Sequence, residues 1–320
     1  MIRKAATREA YGEALVELGR VDNRIVVLDA DLSTSTRTIL FAKEFPDRFF
    51  NFGIAEANMM CVAAGLASCG KVVFASTFAV FASGRAYNQF RTSIAYPQLN
   101  VKVVATHGGI SVGEDGVTHQ CVEDIAMMRA LPHTNVIVPA DGIETKEAVK
   151  AIIEWPGPVY MRLSRPATPL IYEEGYKLNG RPLRYKVGDA VKLMEGKDVT
   201  IVATGIMVSE ALTAAASLEK EGISAAIMNV HTIKPLDESA IVKTAKETGA
   251  VVTAEEHSIL GGLGGAVAEV LVENAQVPMI RVGIRDAFGE SGTTSELLMK
   301  YGLTAPDIIE ASKRAIKMKK

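Results

Sequence analysis

Short apolar runs alternate with longer amphipathic stretches along most of this chain. Uninterrupted apolar runs are typical of strands buried on both faces, and strands that alternate with helices indicate a parallel sheet covered on both sides. The pattern therefore predicts an α/β protein. The predicted strands cover residues 25–28, 71–74, 101–105, 135–138, 158–163, 199–204, 223–230, 250–253 and 279–282.

The predicted helices lie between these strands, in two sets on either side of an irregular segment. Thr7 is a candidate cap for the first helix, which ends at Gly19. Further helices are predicted from 56, up to about 94, over 143–153, up to 221, over 236–247, up to about 273, and from 295 and 305. Residues 166–187 contain several prolines and glycines without periodicity, which indicates a linker. We expect two doubly wound, mostly parallel-sheet domains at residues 1–165 and 188–320.

Composition excludes several classes of protein. The chain has 320 residues, 48% of them hydrophobic, and a formal charge of −2, so nothing favours disorder, nucleic-acid binding or an anionic membrane surface. No apolar run reaches the roughly 18 residues of a membrane span, and the N-terminus lacks a signal-like apolar segment. Cys61, Cys69 and Cys121 have no metal or redox spacing, so we expect reduced core cysteines in a cytoplasmic protein.

One acid lies in an unusual setting. Glu56 follows Gly53 and begins a run of small and apolar residues that predicts a buried helix. Glutamate is rarely fully buried without a partner or a task. In this stretch taken by itself, a helix N-terminal carboxylate stabilised by the helix dipole is the favoured interpretation, and a functional carboxyl that shares a proton is the alternative.

Polar residues follow several of the predicted strands. Because parallel strands end at one edge, Asp31, Ser35, His107 and His119 are placed at the sheet edge where ligands bind. The loop that carries the two histidines is too polar for a core, so it favours a site. No third histidine or cysteine has zinc-like spacing, so no metal is predicted in this chain.

Other candidate groups are ambiguous when taken singly. Phe78 and Phe81 lie three residues apart and predict one helical face, which could be core or an aromatic wall for a flat heterocycle. Arg8 and Arg165, with Ser35 and His107, could converge on a phosphate, although surface arginines are common. The glycine run at 261–265 lacks dinucleotide or P-loop spacing, which favours a tight turn and close helix packing.

Several motifs together resemble the transketolases, within the thiamine-diphosphate enzymes. They are Gly53-Ile-Ala-Glu56-Ala-Asn-Met59, Ser76-Thr-Phe78 with Phe81, Thr106-His107, Gly113-Glu-Asp-Gly116-Val-Thr-His119-Gln120, Pro139-Ala-Asp141-Gly142, Leu163-Ser-Arg165 and Asp29-Ala-Asp31-Leu-Ser-Thr-Ser35. The resemblance is to the C-terminal half of a full transketolase, which comprises the pyrimidine-binding and C-terminal domains. No Gly-Asp-Gly diphosphate loop is present, so the chain resembles the second subunit of a split transketolase.

The resemblance implies a role for each candidate residue. Glu56 and His119 would be catalytic: Glu56 hydrogen-bonds the aminopyrimidine ring and promotes its activation, and His119 stabilises charge near the reacting carbonyl. Phe78, Phe81 and Asp31 would bind the cofactor. The groups that would hold the sugar phosphate are Arg8, Ser35, His107, Asp115 and Arg165.

The resemblance also implies partners. Thiamine diphosphate and a divalent metal, Mg or Ca, would be held by an N-terminal, diphosphate-binding subunit, with two copies of each chain in the assembly. The chain departs from the usual pattern at Ala55 and Ala57, where arginine and histidine are common, and at Gly84, where an aromatic residue is common. These changes affect helix contacts and one wall of the pyrimidine pocket.

Three alternatives stay open. The chain could belong to a deoxyxylulose phosphate synthase-like enzyme or to a 2-oxo-acid dehydrogenase β-like assembly. Thr106-His107 and the loop ending at His119 fit transketolase better. A non-catalytic binding or scaffold protein that keeps this fold is the alternative from another class.

Overall fold

The computed structural model describes residues 3–319 and confirms an α/β protein with two mostly parallel sheets. The predicted outer domain limits at residues 1 and 320 lie outside the described residues, and the domain boundaries stay a prediction. Helices and strands alternate as the apolar pattern indicates.

The strands and helices have the following bounds in chain order. The first part contains β1 (Lys4–Ala6), α1 (Thr7–Gly19), β2 (Ile25–Asp29), α2 (Ser33–Thr36), α3 (Ile39–Glu44), β3 (Phe49–Asn51), α4 (Glu56–Ser68), β4 (Val72–Phe78), α5 (Tyr87–Gln89), β5 (Val101–Thr106), α6 (Asp124–Ala130), β6 (Asn135–Ile137), α7 (Gly142–Ile153) and β7 (Val159–Arg162). The second contains β8 (Ala167–Pro169), β9 (Lys177–Leu178), β10 (Arg181–Pro182), β11 (Val191–Met194), β12 (Val199–Ala203), α8 (Met207–Lys220), β13 (Ala225–Asn229), β14 (Thr232–Lys234), α9 (Glu238–Thr248), β15 (Val251–Ser258), α10 (Leu263–Asn274), β16 (Met279–Ile284), α11 (Thr294–Lys300) and α12 (Ala305–Lys317).

The first sheet has the strand order β14-β6-β7-β5-β4-β2-β3 and is parallel except for β14. Its central strands are buried on both faces because their side chains alternate between two cores. Val26 and Leu28 pack in the core that contains Met59 of α4. Ile25 and Val27 pack in the core that contains Tyr11, together with residues of α7. This double burial explains why the strands are apolar without interruption.

The second sheet has the order β11-β13-β12-β15-β16, with β11 antiparallel. We call the part built around the first sheet the first unit and the part built around the second sheet the second unit. A strand pairing and a common apolar cluster connect them. β14, which follows β13 of the second sheet, pairs with β6 at the edge of the first. The apolar cluster around α4 also extends to Val202 and Leu263 of the second unit. β8, which lies in the predicted linker, pairs with β1.

Two predicted strands are longer in the structure. β4 continues through Ser76 and Thr77 to Phe78, so Phe78 ends a strand and is not on a helix. The buried Ser76 hydroxyl lies 2.8 Å from the phenol oxygen of Tyr11, which satisfies a polar group inside the strand. β15 likewise extends to Ser258, so Glu255, Glu256 and His257 are strand residues.

Two further predictions are wrong. Thr7 does not cap α1: it lies in the helix, and its hydroxyl donates to the backbone oxygen of Ser164. Cys61 is exposed because it lies on the outer face of α4, and Cys69, directly after that helix, is exposed as well, whereas Cys121 is buried. The short strands at the sheet edges, and α6, have no extended periodic pattern in the sequence that would indicate them.

Buried polar residues join the linker and the second unit to α7. Asp141 caps α7 by accepting from the Glu144 amide at 2.8 Å, and its other oxygen accepts from the amides of Ile171 and Tyr172 at 2.6 and 3.0 Å. The Glu144 carboxylate accepts from the side-chain amide of Asn229 at 2.8 Å. Burial raises the pKa of Asp141 to about 6. Three satisfied amides keep this buried carboxyl in place.

We expect Asp141→Asn to lower the free energy of unfolding by about 1–3 kcal/mol, because an amide side chain cannot accept from both sides as a carboxylate does. Urea unfolding monitored by the fluorescence of Trp155 measures this change. Asp47, which is exposed and forms no side-chain hydrogen bond within residues 3–319, provides the control Asp47→Asn. Equal midpoints for the two variants would contradict the role given to Asp141.

Candidate active site

Glu56 begins α4 at the carboxyl edge of the first sheet, directly after β3. Its side chain is 1% exposed. The guanidinium of Arg85 donates to both carboxylate oxygens, with Nη1 at 2.9 Å from Oε1 and 3.1 Å from Oε2. The acid is therefore buried as an ion pair and not as an isolated group in an apolar pocket. Arg85 lies in a π-helical turn, Phe81–Arg85, a type of turn often found at functional sites.

Four rings form an aromatic cluster beside this ion pair. Phe78 and Phe81 stack with centroids 5.9 Å apart at 13°, although only Phe81 is helical. His107 stacks on Phe78 at 3.8 Å. His119 presents an edge-on ring to Phe81 at 5.7 Å. The structure thus brings together both phenylalanines and both histidines, and Arg85 over Phe81 at 4.4 Å links the cluster to Glu56.

His107 is buried and has a strained backbone. It is 2% exposed, which contradicts the expectation that its loop is too polar for the core, and its φ is 58°. Its Nδ1 lies 2.8 Å from the Thr106 hydroxyl. Burial, and then the positive charges of Arg8 and Arg165, lower the pKa of His107 to about 3. The ring is therefore neutral near pH 7 and can donate one hydrogen bond without carrying charge.

A cleft of about 590 Å³ is lined by the two predicted arginines. Arg8 donates to the backbone oxygen of Ser35 at 2.9 Å. Arg165 donates to the backbone oxygen of Val112 and to Glu114 Oε2 at 3.0 Å. Burial and the charges of Arg37 and Arg165 lower the pKa of Arg8. Arg8 and Arg165 thus line one cleft, and Ser35 contacts Arg8 through its backbone oxygen. His107 belongs to the aromatic cluster and is not among the residues that line the cleft.

The two predicted aspartates make few or no contacts with the other predicted site residues. Asp31 exchanges hydrogen bonds with Asn51 through its own amide at 3.0 Å and its carboxylate at 3.2 Å. Asp115 is exposed and forms no side-chain hydrogen bond within residues 3–319. Asp29, by contrast, is fully buried and accepts from the hydroxyls of Thr36 and Thr38. Asp29 therefore orders the turn, and Asp31 faces solvent.

The loop that carries Asp115 and His119 is held by the second unit. The Ser111 amide donates to Glu256 Oε1 at 2.6 Å, and the Thr294 hydroxyl donates to the Ser111 carbonyl at 3.0 Å. Gln120 donates to the Glu290 carbonyl at 2.9 Å. Gly109 has φ of 84°, and a Cβ there would clash with the Glu256 carboxyl. The second unit thus fixes one wall of the cleft.

The glycine run at 261–265 binds a carboxylate of its own chain. Glu255 accepts from the amides of Leu263 and Gly264 at the start of α10, at 2.7 and 2.8 Å. These amides are the groups with which a helix N-terminus binds phosphate. A Cβ at Gly262 would clash with Glu255 Oε2, so the glycine permits this approach. The run therefore serves packing, as its spacing indicates.

Sequence reasoning missed two residues of the site. Arg85 lies 29 positions from Glu56, and no sequence spacing pairs them. Glu256 is, in the sequence, only one of two acids before His257, and its hydrogen bond to Ser111 spans 145 positions.

Between residues 3 and 319, no group of three or more His, Cys, Asp or Glu side chains is arranged to hold a metal ion. Nor does this part of the chain contain a helix long and apolar enough to cross a membrane.

Fold and site together define a two-unit α/β protein with a buried carboxylate and an aromatic cluster at the edge of its first sheet. Residues 3–170 match the transketolase pyrimidine-binding domain, and residues 188–308 match the transketolase C-terminal domain. The chain belongs to the transketolase family. This membership confirms the predicted resemblance to the transketolases and the predicted α/β fold.

Several relatives have the same extent as this chain. A putative transketolase C-terminal section of Methanocaldococcus jannaschii is 54% identical over 302 residues, covering 94% of this chain and 93% of the relative. An apulose-4-phosphate transketolase subunit of Phocaeicola vulgatus is 38% identical, with 98% of each chain covered. Human transketolase is 38% identical over 96% of this chain, which spans 48% of that protein.

Solved structures show the same relationship. A split-gene transketolase described as an inactive β4 tetramer has a TM-score of 0.90 and 54% identity, covering 98% of this chain and 99% of that chain. Transketolase from Campylobacter jejuni has a TM-score of 0.79 and 26% identity, and this chain covers 46% of its length. The chain therefore corresponds to the C-terminal half of a full-length transketolase.

The lowered pKa of His107 predicts a pH-dependent loss of stability. Between pH 7 and pH 5 the unfolded chain takes up a proton at this residue and the folded chain does not. This difference should lower the free energy of unfolding by about 2 kcal/mol when the pH is lowered from 7 to 5. Urea unfolding at both pH values should show a smaller loss for His107→Gln than for the wild type. NMR signals of the His107 ring that titrate near pH 6.5 would contradict the prediction.

Proposed function

We propose that this chain is the C-terminal subunit of a split transketolase, which transfers a two-carbon ketol unit from a ketose phosphate to an aldose phosphate. The observation that carries the proposal is the buried Glu56 carboxylate beside the Phe78–Phe81 stack, with a cleft containing Arg8 and Arg165 at the same sheet edge. A flat nitrogen heterocycle and a phosphorylated sugar need these two kinds of surface.

Membership of the transketolase family implies dependence on thiamine diphosphate. The residues fit the pyrimidine end of this cofactor, since a carboxylate and an aromatic face adjoin each other. When bound, thiamine diphosphate supplies the nucleophilic carbon and electron sink that carry the two-carbon unit. In our proposal Glu56 holds a proton at the ring-nitrogen contact, Phe78 and Phe81 flank the ring, and Asp31 lines the approach.

The substrate contacts in the proposal follow from charge and burial. Arg8 and Arg165, which line the cleft, bind the substrate phosphate, and Ser35, whose backbone oxygen accepts from Arg8, lies beside Arg8. Neutral His107 donates a hydrogen bond without repelling those arginines. His119, held against the aromatic cluster, stabilises charge or moves a proton at the reacting carbonyl, and exposed Asp115 accepts from a substrate hydroxyl.

The proposal includes a partner. Within residues 3–319 no metal-binding cluster is arranged, and we assign the cofactor diphosphate and its divalent metal, Mg or Ca, to an N-terminal subunit. Two copies of each chain form the assembly in this proposal. It is supported by relatives of nearly equal length, one described as a C-terminal section and the other as one subunit of a transketolase.

The substrate class is a separate step of the proposal. One relative is described as a 6-deoxy-6-sulfo-D-fructose transketolase subunit, from Clostridium sp. (strain MSTE9), at 47% identity, and another as an apulose-4-phosphate transketolase subunit. These names indicate that the substrate differs among such chains. Two arginines that converge on one cleft favour a doubly ionised phosphate for this chain.

The assay that tests the function combines this chain with a diphosphate-binding subunit, thiamine diphosphate and Mg²⁺. We expect turnover of xylulose 5-phosphate with ribose 5-phosphate, and no turnover by this chain without the subunit even with excess cofactor. Pyruvate with glyceraldehyde 3-phosphate serves as the competing reaction. Turnover of pyruvate, or activity of the isolated chain, would refute the proposal.

Glu56→Gln should lower kcat by at least about 10²-fold, because an amide cannot share the proton that the carboxyl holds. Binding of thiamine diphosphate should change far less, since the diphosphate is held elsewhere. Steady-state kinetics and cofactor titration of the reconstituted assembly measure both quantities. Wild-type kcat in this variant would favour a scaffold protein or another acid.

A further inference from the structure

Arg85 engages both surfaces that the proposed cofactor ring would use. Its Nη1 donates to Glu56 Oε1 and Oε2 at 2.9 and 3.1 Å. Its guanidinium carbon lies 4.4 Å from the centroid of Phe81, which is a cation–π distance. No other side chain between residues 3 and 319 both pairs with Glu56 and covers Phe81.

The exposures of the two partners show which of them faces outward. The Glu56 side chain is 1% exposed, whereas the Arg85 side chain is 50% exposed. The guanidinium therefore lies between the carboxylate and solvent.

A guanidinium and an aminopyrimidine have the same recognition chemistry. Both are planar, both present N–H donors to a carboxylate, and both stack on an aromatic face. One carboxylate and one face of Phe81 cannot serve both groups in the same place. We infer that Arg85 occupies the aminopyrimidine position of the site and must leave it when the cofactor binds, an inference that rests on the proposed function.

The local structure permits this exchange. The Arg85 side chain is half exposed, so solvent can solvate its guanidinium once it leaves Glu56, and Arg85 forms no side-chain hydrogen bond with a second residue between positions 3 and 319. A Cβ at the neighbouring Gly84 would have no heavy atom within 4 Å, so there is space beside the turn. The π-helical turn Phe81–Arg85 is followed by Ala86 in a non-helical conformation, which interrupts the regular helix.

The exchange affects cofactor affinity by a calculable amount. A protein whose competent state is partly populated binds its ligand more weakly by that fraction. If the Arg85 contacts are worth what partly exposed pairs usually are, removing them should tighten cofactor binding by about 2–5-fold. Because the contact is ionic, the gain should shrink as salt is raised.

The test is calorimetric titration of thiamine diphosphate, with Mg²⁺, into the reconstituted assembly. It compares wild type, Arg85→Ala, Arg85→Lys and Arg91→Ala. Arg91 is the matched control, since it is exposed on the neighbouring segment Phe90–Ala95 and forms no side-chain hydrogen bond or ion pair among residues 3–319. Urea unfolding of each variant verifies that the fold is retained.

We expect a Kd lower than wild type for Arg85→Ala, an intermediate Kd for Arg85→Lys, which keeps the charge without the planar fork, and no change for Arg91→Ala. In a Glu56→Gln background, Arg85→Ala should give a much smaller gain, because the ion pair is already absent. An unchanged or higher Kd for Arg85→Ala would overturn the inference while leaving the proposed function intact. No binding of thiamine diphosphate by the wild-type assembly would overturn both.

Discussion

The structure depends on one buried arginine that joins the two units. Arg162 lies at the end of β7 and is 5% exposed, and its Nε binds Asp124 at 2.9 Å while its Nη2 donates to the backbone oxygen of Glu256 at 2.8 Å. Tyr160 also donates to Asp124, at 2.8 Å. A buried charge is tolerated only when its partners are placed for it, so β7, α6 and β15 are held in one arrangement. Gly108 takes part in this constraint, because a Cβ there would lie 2.5 Å from Arg162.

This junction determines where a ligand can bind. The carboxyl edge of the second sheet, where open α/β sheets bind ligands, is covered by the first unit: Thr204 bonds to the Val138 carbonyl, and Glu256 bonds to the Ser111 amide. Glu255 occupies the amides at the start of α10. The second unit has therefore used its ligand-binding edge for docking. In the first sheet the docking contacts involve residues that follow β5 and β6, whereas Glu56 follows β3 at the opposite end of the sheet.

Sequence reasoning succeeded where the signal was local. Uninterrupted apolar runs identify strands buried on both faces, and the isolated acid at Glu56 and the two histidines lie at the predicted edge. It failed where one residue is explained by another far away in the chain. The predicted strand ends before the polar Ser76, because the partner that allows its burial, Tyr11, is 65 positions away in the sequence. Similarly, β14 pairs with β6, a strand formed by much earlier residues. Arg85 reaches Glu56 through a π-helical turn that no periodicity indicates.

The helix that begins at Glu56 also bears on the proposed partner. Its inner face packs Met59 and Ala63 into the core, whereas Cys61 on its outer face is exposed and Ile54, just before the helix, is 77% exposed. A helix with apolar groups on both sides is typical of an element that meets another chain. The acid therefore lies beside an exposed, partly apolar surface. A site that takes its carboxylate from beside this surface and its diphosphate contacts from the chain across it would need both chains for the same physical reason.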